Sequence, residues 1–250
     1  MANLKNHLMP IERCSRPLWH IQKKKIGDIM ESSRWKYNII YDLEIKVKTG
    51  LHIGGTNEEI KIGGIDNQVI TTSYEYNNKM YDLPYIPGSS IKGKLRSILS
   101  AFYQNKEIIE KVFGRGNNEK DNIDRRTRLI VRDFYLTEDE IKNYVDNDFK
   151  LTEIKGENII DPLTSKATPR FIERIKPGTV FEGKFILSIY EDDDEEAMTG
   201  LIMDGLELIR DSYLGGNGSR GYGSVEIYKK QQNKKGIKDY EGNNNDSIQN

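Results

Sequence analysis

Five glycines fall between Gly215 and Gly223 in the stretch Tyr213-Leu-Gly-Gly-Asn-Gly-Ser-Arg-Gly-Tyr-Gly-Ser-Val-Glu-Ile227. Glycine at that density lets a backbone adopt positive φ and approach another segment or a ligand closely. Before it, Leu201, Ile202, Gly205, Leu206 and Ile209 share one face of a helix, and after it Val225 and Ile227 begin a strand. The chain is therefore bound to a helix–tight loop–strand unit near its C-terminal end. Successive N–H groups in such a loop make a concavity for anions, and Arg220 adds a forked donor matched to phosphate. A flexible hairpin loop would show the same glycine content, so the loop alone leaves the function open.

Upstream, Ile39, Tyr41, Leu43, Ile45 and Val47 alternate with Ile40, Asp42, Glu44, Lys46 and Lys48, the pattern of a half-buried strand, which Thr49-Gly50 ends. Pro87-Gly88-Ser89-Ser90 reads as a turn with a serine able to cap a helix. Ile91, Leu95, Ile98 and Leu99 then form an apolar stripe at helical spacing. A short helix is expected at Ile108–Phe113 and a short strand at Leu129–Phe134, and Thr137-Glu-Asp-Glu140 has the capping-box pattern of another helix. Residues 150–178, with Pro162, Pro169 and Pro177, read as polar and irregular. Phe181, Gly183, Phe185, Leu187 and Ile189 alternate as a further strand.

Without its insertions the order is strand–helix–strand–strand–helix–strand. This predicts an α+β fold with a ferredoxin-like (RRM-like) βαββαβ core. RRM domains share that order, so RNA binding is compatible with it and not demonstrated by it. The expected organisation is an N-terminal extension at 1–36, a domain at 37–228 with insertions at about 103–128 and 135–178, and a disordered polar tail at 229–250.

Charge and cysteine content narrow the classes. The 250 residues carry a net charge of −1, so no global electrostatic footprint for nucleic acid exists. Basic residues instead cluster locally at Lys23–Lys25, at Lys92, Lys94 and Arg96, and at Arg125, Arg126, Arg128 and Arg132. The acidic run Glu191–Glu196 reads as a solvated loop. Cys14 is the sole cysteine, which excludes an internal disulfide and a cysteine-based zinc site. No apolar run approaches the roughly 18 residues of a membrane span, and the polar N-terminus lacks a secretory core. A cytoplasmic protein without a membrane partner is expected.

Several segments then occur in one order: Gly50-Leu-His-Ile-Gly-Gly55, Ile62-Gly-Gly-Ile-Asp66, Leu83-Pro-Tyr-Ile-Pro-Gly-Ser-Ser-Ile-Lys-Gly-Lys-Leu-Arg96, Ile130-Val-Arg-Asp133, Pro169-Arg170 through Glu173-Arg174, and Leu214–Gly223. As an ordered set they resemble the RAMP-superfamily backbone subunits of type III-A CRISPR (Csm) effector complexes, from about Tyr37 to Tyr228. The resemblance implies a filament of copies of this chain wrapped along a guide RNA, with other Csm subunits as partners. Target RNA would pair with the guide, and each subunit would cut it once per repeat with Mg2+ or another divalent cation. Base pairing would read sequence while protein holds the backbone.

Residue by residue, the resemblance makes Asp66 the catalytic candidate. Its carboxylate would hold the cation or take the proton of a ribose 2′-hydroxyl. Read alone, an aspartate after Gly63-Gly64-Ile65 is more often a turn residue. Ser89, Lys92, Lys94 and Arg96 on the helix after Pro87 match guide-RNA contacts. Gly93 would let RNA approach the helix, and Ser89 and Ser90 would present free N–H groups at its positive end. Gly215, Gly216, Gly218, Ser219, Arg220 and Gly221 form the second grip, with His52 and Arg170 as further RNA contacts. His52 read alone is a structural histidine.

Asp133, Glu153, Glu157 and Glu173 are secondary carboxylates, read as ion-pair partners of Arg132, Arg170 and Arg174. Residues 150–175 would form a thumb-like hairpin that intrudes between bases of the guide–target duplex. Two departures stand out. Pro162 follows Asp161 where arginine is usual, and Tyr74–Met80 lengthens a connection that is often shorter. The rival readings are a non-catalytic RAMP subunit, a standalone RAMP ribonuclease processing precursor guide RNA, and a phosphate-binding enzyme built on the 213–227 loop. The loop has no Walker lysine and precedes a strand, which counts against the last.

Overall fold

The computed structural model describes residues 34–55, 67–114, 126–147, 149–160, 163 and 165–241. The chain divides into Met1–Ser32 and Ser33–Asn250, and every described residue belongs to the second unit. The alternating run near the start forms β1 (Trp35–Val47). It pairs antiparallel on one side with β8 (Val180–Tyr190) and on the other with β9 (Val225–Gly236). Two short strands, β4 (Leu129–Val131) and β5 (Tyr135–Leu136), pair with β8, giving a sheet in the order β4-β8-β1-β9. The fold is mixed α+β with antiparallel sheets.

The alternation decides which face is covered. Ile39, Tyr41, Leu43, Ile45 and Val47 of β1 and Phe181, Phe185, Leu187 and Ile189 of β8 are all buried. Against them pack α1 (Gly88–Phe102), through Ile91, Leu95 and Leu99, and α4 (Glu195–Asp211), through Met198, Leu201, Ile202, Leu206 and Ile209. A Cβ on Gly205 would press on the side chains of Leu95 and Leu99, so a small residue there sets how closely the helices approach. Burying one such Leu or Ile side chain contributes about 1.5–3 kcal/mol. The helix α2 (Lys106–Phe113) adds Ile109, Val112 and Phe113 to the same core, with the Asn105 side chain capping its start. The helix α3 (Glu138–Asn147) follows β5.

Three segments depart from the sequence expectation. Tyr74–Met80 lies in a hairpin, β2 (Thr71–Tyr76) with β3 (Lys79–Pro84), turned by Asn77 and Asn78 at φ 51° and 58°. Two central residues at positive φ favour asparagine, and their turn matches the strand twist. Residues 150–178 are not irregular, because β6 (Thr152–Ile160) and β7 (Ala167–Ile175) form a nine-pair antiparallel hairpin. Among its described side chains only Ile172 and Ile175, with Leu151 just before β6, are buried, so no apolar alternation advertises it. The polar segment expected to be disordered from residue 229 instead continues β9 to Gly236, followed by α5 (Ile237–Glu241). Its lysines find partners on other elements, as in Lys230–Glu44 at 2.6 Å and Lys234–Glu195 at 2.6 Å. Residues 242–250 lie outside the described residues.

Candidate nucleic-acid interface

The glycine loop between α4 and β9 is clamped to the segment that follows β1. Gly216 N–H donates to the His52 carbonyl at 2.8 Å, Gly223 N–H to the Gly50 carbonyl at 3.1 Å, and Leu214 N–H to the Gly223 carbonyl at 2.8 Å. Gly215 and Gly223 stand at φ 76° and 70°, and a Cβ on either would overlap a carbonyl, that of His52 or of Leu214. Glycine is required at both positions by close approach as well as by dihedral angle. Beyond the clamp, Asn217 is left-handed at φ 57° and a 3-10 turn spans Gly218–Arg220, with Gly221 left-handed at φ 83°. Among the described residues, no acceptor is hydrogen-bonded to the N–H of Asn217, Gly218 or Ser219. Three successive donors in such a turn form an anion nest. Ser219 and Arg220 beside them are exposed.

Tyr213 joins this loop to α1. A Cβ on Gly218 would overlap the Tyr213 ring, and the Lys94 ammonium sits 3.6 Å from the ring centroid. Burial lowers the Lys94 pKa below the usual lysine value, while the ring face offers the cation an attractive partner.

The N-terminal end of α1 is arranged differently from expectation. Neither Ser89 nor Ser90 caps it; the helix starts one residue earlier, at Gly88, with Pro87 in the cap position. The cap comes from Asp133, whose Oδ1 accepts the Gly88 N–H at 2.7 Å. Ser90 N–H returns to the Pro87 carbonyl at 3.0 Å. Only Ser89, which is exposed, keeps an N–H there without a described partner. Lys92 donates to Thr127 Oγ1 at 2.8 Å and to the Leu129 carbonyl at 2.7 Å, so two of its three donors tie α1 to the start of β4 and to Thr127 just before it. Burial, with Arg96 nearby, lowers its pKa. Arg96 is exposed and makes no ion pair among the described residues, and a Cβ on Gly93 would meet open space.

The other basic cluster is divided: Arg128 is internal, whereas Arg126 and Arg132 are exposed. Arg128 is buried, pairs with Asp193 at 2.9 Å and lies over the Tyr190 ring at 4.1 Å. The acidic run is thus not wholly a solvated loop. Burial alone would push the Asp193 carboxyl up, but Arg128 and Lys111 hold its pKa below the usual value. Asp194 caps α4 by accepting the Ala197 N–H at 3.0 Å. Arg125 lies outside the described residues, and Arg132 is exposed. Arg132 lines a groove of about 710 Å3 on the uncovered sheet face, whose Asp42 and Glu44 already pair with Lys184 and Lys230.

The β6–β7 hairpin meets the glycine loop through a charged cluster. Glu157 accepts the Tyr222 hydroxyl at 2.7 Å with one oxygen and pairs with Arg220 at 3.0 Å with the other. The hydrogen bond from Tyr222, with Lys155 and Arg220 nearby, lowers the Glu157 pKa. Burial and that same carboxylate push the Tyr222 hydroxyl up to about 12. Lys155 and Arg174 lie over the buried Tyr222 ring at 4.5 and 4.9 Å, and Arg174 pairs with Glu153 at 2.7 Å. Arg170 is exposed on β7, opposite Glu157 in register. The carboxylates read as ion-pair partners thus divide. Glu153 pairs with Arg174 as expected and Glu157 pairs with Arg220, whereas Asp133 caps a helix and Glu173 accepts the Val69 N–H at 3.0 Å.

His52 is buried, with Nδ1 at 2.7 Å from the Glu173 carbonyl. A carbonyl only accepts, so Nδ1 carries the proton. This packing favours the structural reading of its side chain and leaves its carbonyl to hold Gly216. Asp66, Asp161 and Pro162 lie outside the described residues. The ends of the segment that carries Asp66 are anchored, however. Gly55 N–H donates to the Gln68 carbonyl at 3.2 Å, and Asn67 bridges Ile172 and accepts the Glu173 N–H at 3.0 Å. The residue next to Asp66 is therefore pinned to the base of the β6–β7 hairpin. Sequence reasoning missed Tyr213 and Tyr222 as members of the interface. Their positions flanking the glycines were the available signal, whereas nothing local points to Glu157, 63 residues from Arg220.

Among the described residues, no group of three or more His, Cys, Asp or Glu is placed to hold a metal ion, and no helix is long and apolar enough to cross a membrane. The model of the RAMP superfamily matches residues 44–226. The chain belongs to the RAMP superfamily, among the Csm3 proteins. It is 37% identical over 236 residues to the "CRISPR system Cms endoribonuclease Csm3" of Methanocaldococcus jannaschii, covering 86% of this chain and 89% of that one. The protein of the same description from Streptococcus thermophilus is 37% identical over 203 residues, covering 76% and 87%. In fold, this RAMP chain is similar to a chain of the type III-B Cmr-beta complex bound to cognate target RNA. The TM-score is 0.54 at 23% identity, covering 80% of this chain and 61% of that one.

Proposed function

We propose that the chain is a guide-RNA-binding backbone subunit of a type III-A interference complex, and that it cuts complementary target RNA at regular intervals. The observation that carries this reading is the row of N–H groups at Asn217, Gly218 and Ser219, without an acceptor among the described residues, beside the Arg220 guanidinium. Phosphodiester oxygens are the ligand for such donors, because each N–H offers a directed bond without any base-specific contact. Lys94, joined to the loop through Tyr213, carries positive charge onto α1, where Arg96 is exposed. The Csm3 endoribonuclease description of the relatives supplies the reaction.

The core is read as ferredoxin-like. The order β4-β8-β1-β9, with α1 and α4 packed on one face, supports that reading. Copies of the chain would associate head to tail, since a heterologous contact that does not close builds a filament along the guide. Other Csm subunits complete the assembly. The β6–β7 hairpin would intrude between bases of the guide–target duplex and expose one phosphodiester per subunit.

Cutting is assigned to Asp66. A carboxylate there would take the proton of a ribose 2′-hydroxyl as its oxygen bonds to the adjacent phosphorus and the P–O5′ bond breaks. This leaves a 2′,3′-cyclic phosphate and a 5′-oxygen that takes a proton from water. A divalent cation, when bound, would supply charge stabilisation at that phosphate. The described residues offer no cation-binding group of their own, so the requirement is tested by chelation. In the reconstituted complex, Asp66→Ala should reduce target cutting at least about a hundredfold while the guide RNA stays bound. Unchanged cutting would leave a non-catalytic RAMP subunit. Cutting of repeat RNA by the isolated chain would instead make it a standalone processing enzyme.

A further inference from the structure

Arg220 is the loop's forked phosphate donor, yet it is already engaged. Its Nη1 lies 3.0 Å from Glu157 Oε2, with the guanidinium side chain 52% and the carboxylate side chain 16% exposed. The second carboxylate oxygen is held by the Tyr222 hydroxyl at 2.7 Å, and Lys155 approaches that same oxygen at 3.2 Å. Tyr222 is itself buried, with Lys155 and Arg174 over its ring. Glu157 therefore cannot swing away with Arg220 when a phosphate arrives, because Tyr222 and Lys155 keep it in place. The guanidinium is the mobile partner: it is half exposed and stands on a loop whose next residue, Gly221, has open space around its α-carbon.

We propose that Glu157 is a positioning residue for RNA binding. It parks Arg220 against the β6–β7 hairpin in the RNA-free subunit, and a backbone phosphate at the Asn217–Ser219 donors must draw Arg220 off it. The carboxylate competes with the ligand for one cation, so a single weak anion leaves Arg220 parked. A phosphodiester already seated on the three N–H groups exchanges it. Each exchange removes the ion pair between loop and hairpin and leaves the Tyr222–Glu157 bond, with Lys155 and Arg174 over the Tyr222 ring, as their connections. Loading of the loop thus changes how firmly the hairpin is held. The proposal rests on the reading of the loop as a guide-RNA grip.

The test uses the full chain and a single-stranded RNA oligonucleotide, with affinity measured from low to moderate salt. Glu157→Gln keeps an acceptor for the Tyr222 hydroxyl and removes the charge that restrains Arg220. It should bind RNA about three- to fivefold more tightly, the range set by a half-exposed ion pair that no longer has to be broken. It should also steepen the logarithmic salt dependence by up to about 0.7, the share of one freed cation on a single strand. In the Arg220→Ala background the same substitution should give neither change. Tyr222→Phe, which keeps the ion pair, should bind with wild-type salt dependence. A gain that persists without Arg220, or affinity that is unchanged or lower in Glu157→Gln, overturns the proposal. A wild-type chain that retains no RNA at all overturns the grip itself, and this proposal with it.

Discussion

The start of α1 and the glycine loop carry the same advertisement in sequence: glycine and serine with basic residues close by. In three dimensions they diverge. The first donor of α1 is taken by Asp133, Ser90 folds back on Pro87, and Lys92 is bound to Thr127 and Leu129. In the loop, Gly216 and Gly223 donate to His52 and Gly50, Leu214 closes the loop on Gly223, and no acceptor among the described residues takes the N–H of Asn217, Gly218 or Ser219. The difference teaches that a binding loop is marked by which of its donors the fold consumes. Composition shows only that donors exist.

The largest effect that could break this contrast lies inside the loop. Gly223→Ala puts a Cβ onto the Leu214 carbonyl at φ 70°, whereas Gly221→Ala, at φ 83°, meets open space. Gly223→Ala should destabilise by at least about 2–3 kcal/mol in urea unfolding and abolish RNA retention. Gly221→Ala should cost about 1 kcal/mol of dihedral strain and leave retention largely intact. Equal effects would mean that the clamp does not shape the nest.

At the other region, Asp133→Ala removes the cap of α1 and should cost about 0.5–2 kcal/mol, read as a lower melting temperature, with RNA affinity changed less than twofold. A marked rise in affinity would instead show that the carboxylate masks an anion site at the helix end.

A smaller effect concerns the hairpin's attachment. The Tyr222 hydroxyl has a folded-state pKa of about 12 against an ordinary value of 10.0. The folded state therefore holds that proton more tightly than the unfolded chain, so its stabilisation is full below pH 10 and is lost as pH rises towards 12. The melting temperature of Tyr222→Phe should accordingly fall less steeply than that of wild type across pH 9.5–11. Parallel curves would remove the Tyr222–Glu157 bond from the account.

The sequence carried the core well and the interface unevenly. Ile39–Val47 and Phe181–Ile189 are legible because each strand has one covered face, so burial is written as period two. The β6–β7 hairpin and the end of β9 were not. They are held by ladder bonds and charge pairs that leave no local pattern, such as Lys230 with Glu44 on β1 and Glu153 with Arg174 across the hairpin. The Asn77-Asn78 turn was there to be read from its positive-φ residues. For Lys92, expected as a phosphate contact, no local pattern shows that Thr127 and the Leu129 carbonyl converge on its ammonium. Arg220 reads from sequence as a forked donor on the glycine loop, and its present partner, Glu157, is invisible at a separation of 63 residues.

The central claim is that the loop, and not the start of α1, supplies the decisive RNA-backbone contact. The most direct measurement is the salt dependence of RNA affinity for Arg220→Ala and Lys92→Ala side by side. Arg220→Ala should weaken binding about five- to tenfold and flatten the logarithmic slope by up to about 0.7. Lys92→Ala should lower the melting temperature and leave the slope as in wild type. A flattened slope in Lys92→Ala with an unaltered one in Arg220→Ala would contradict the account.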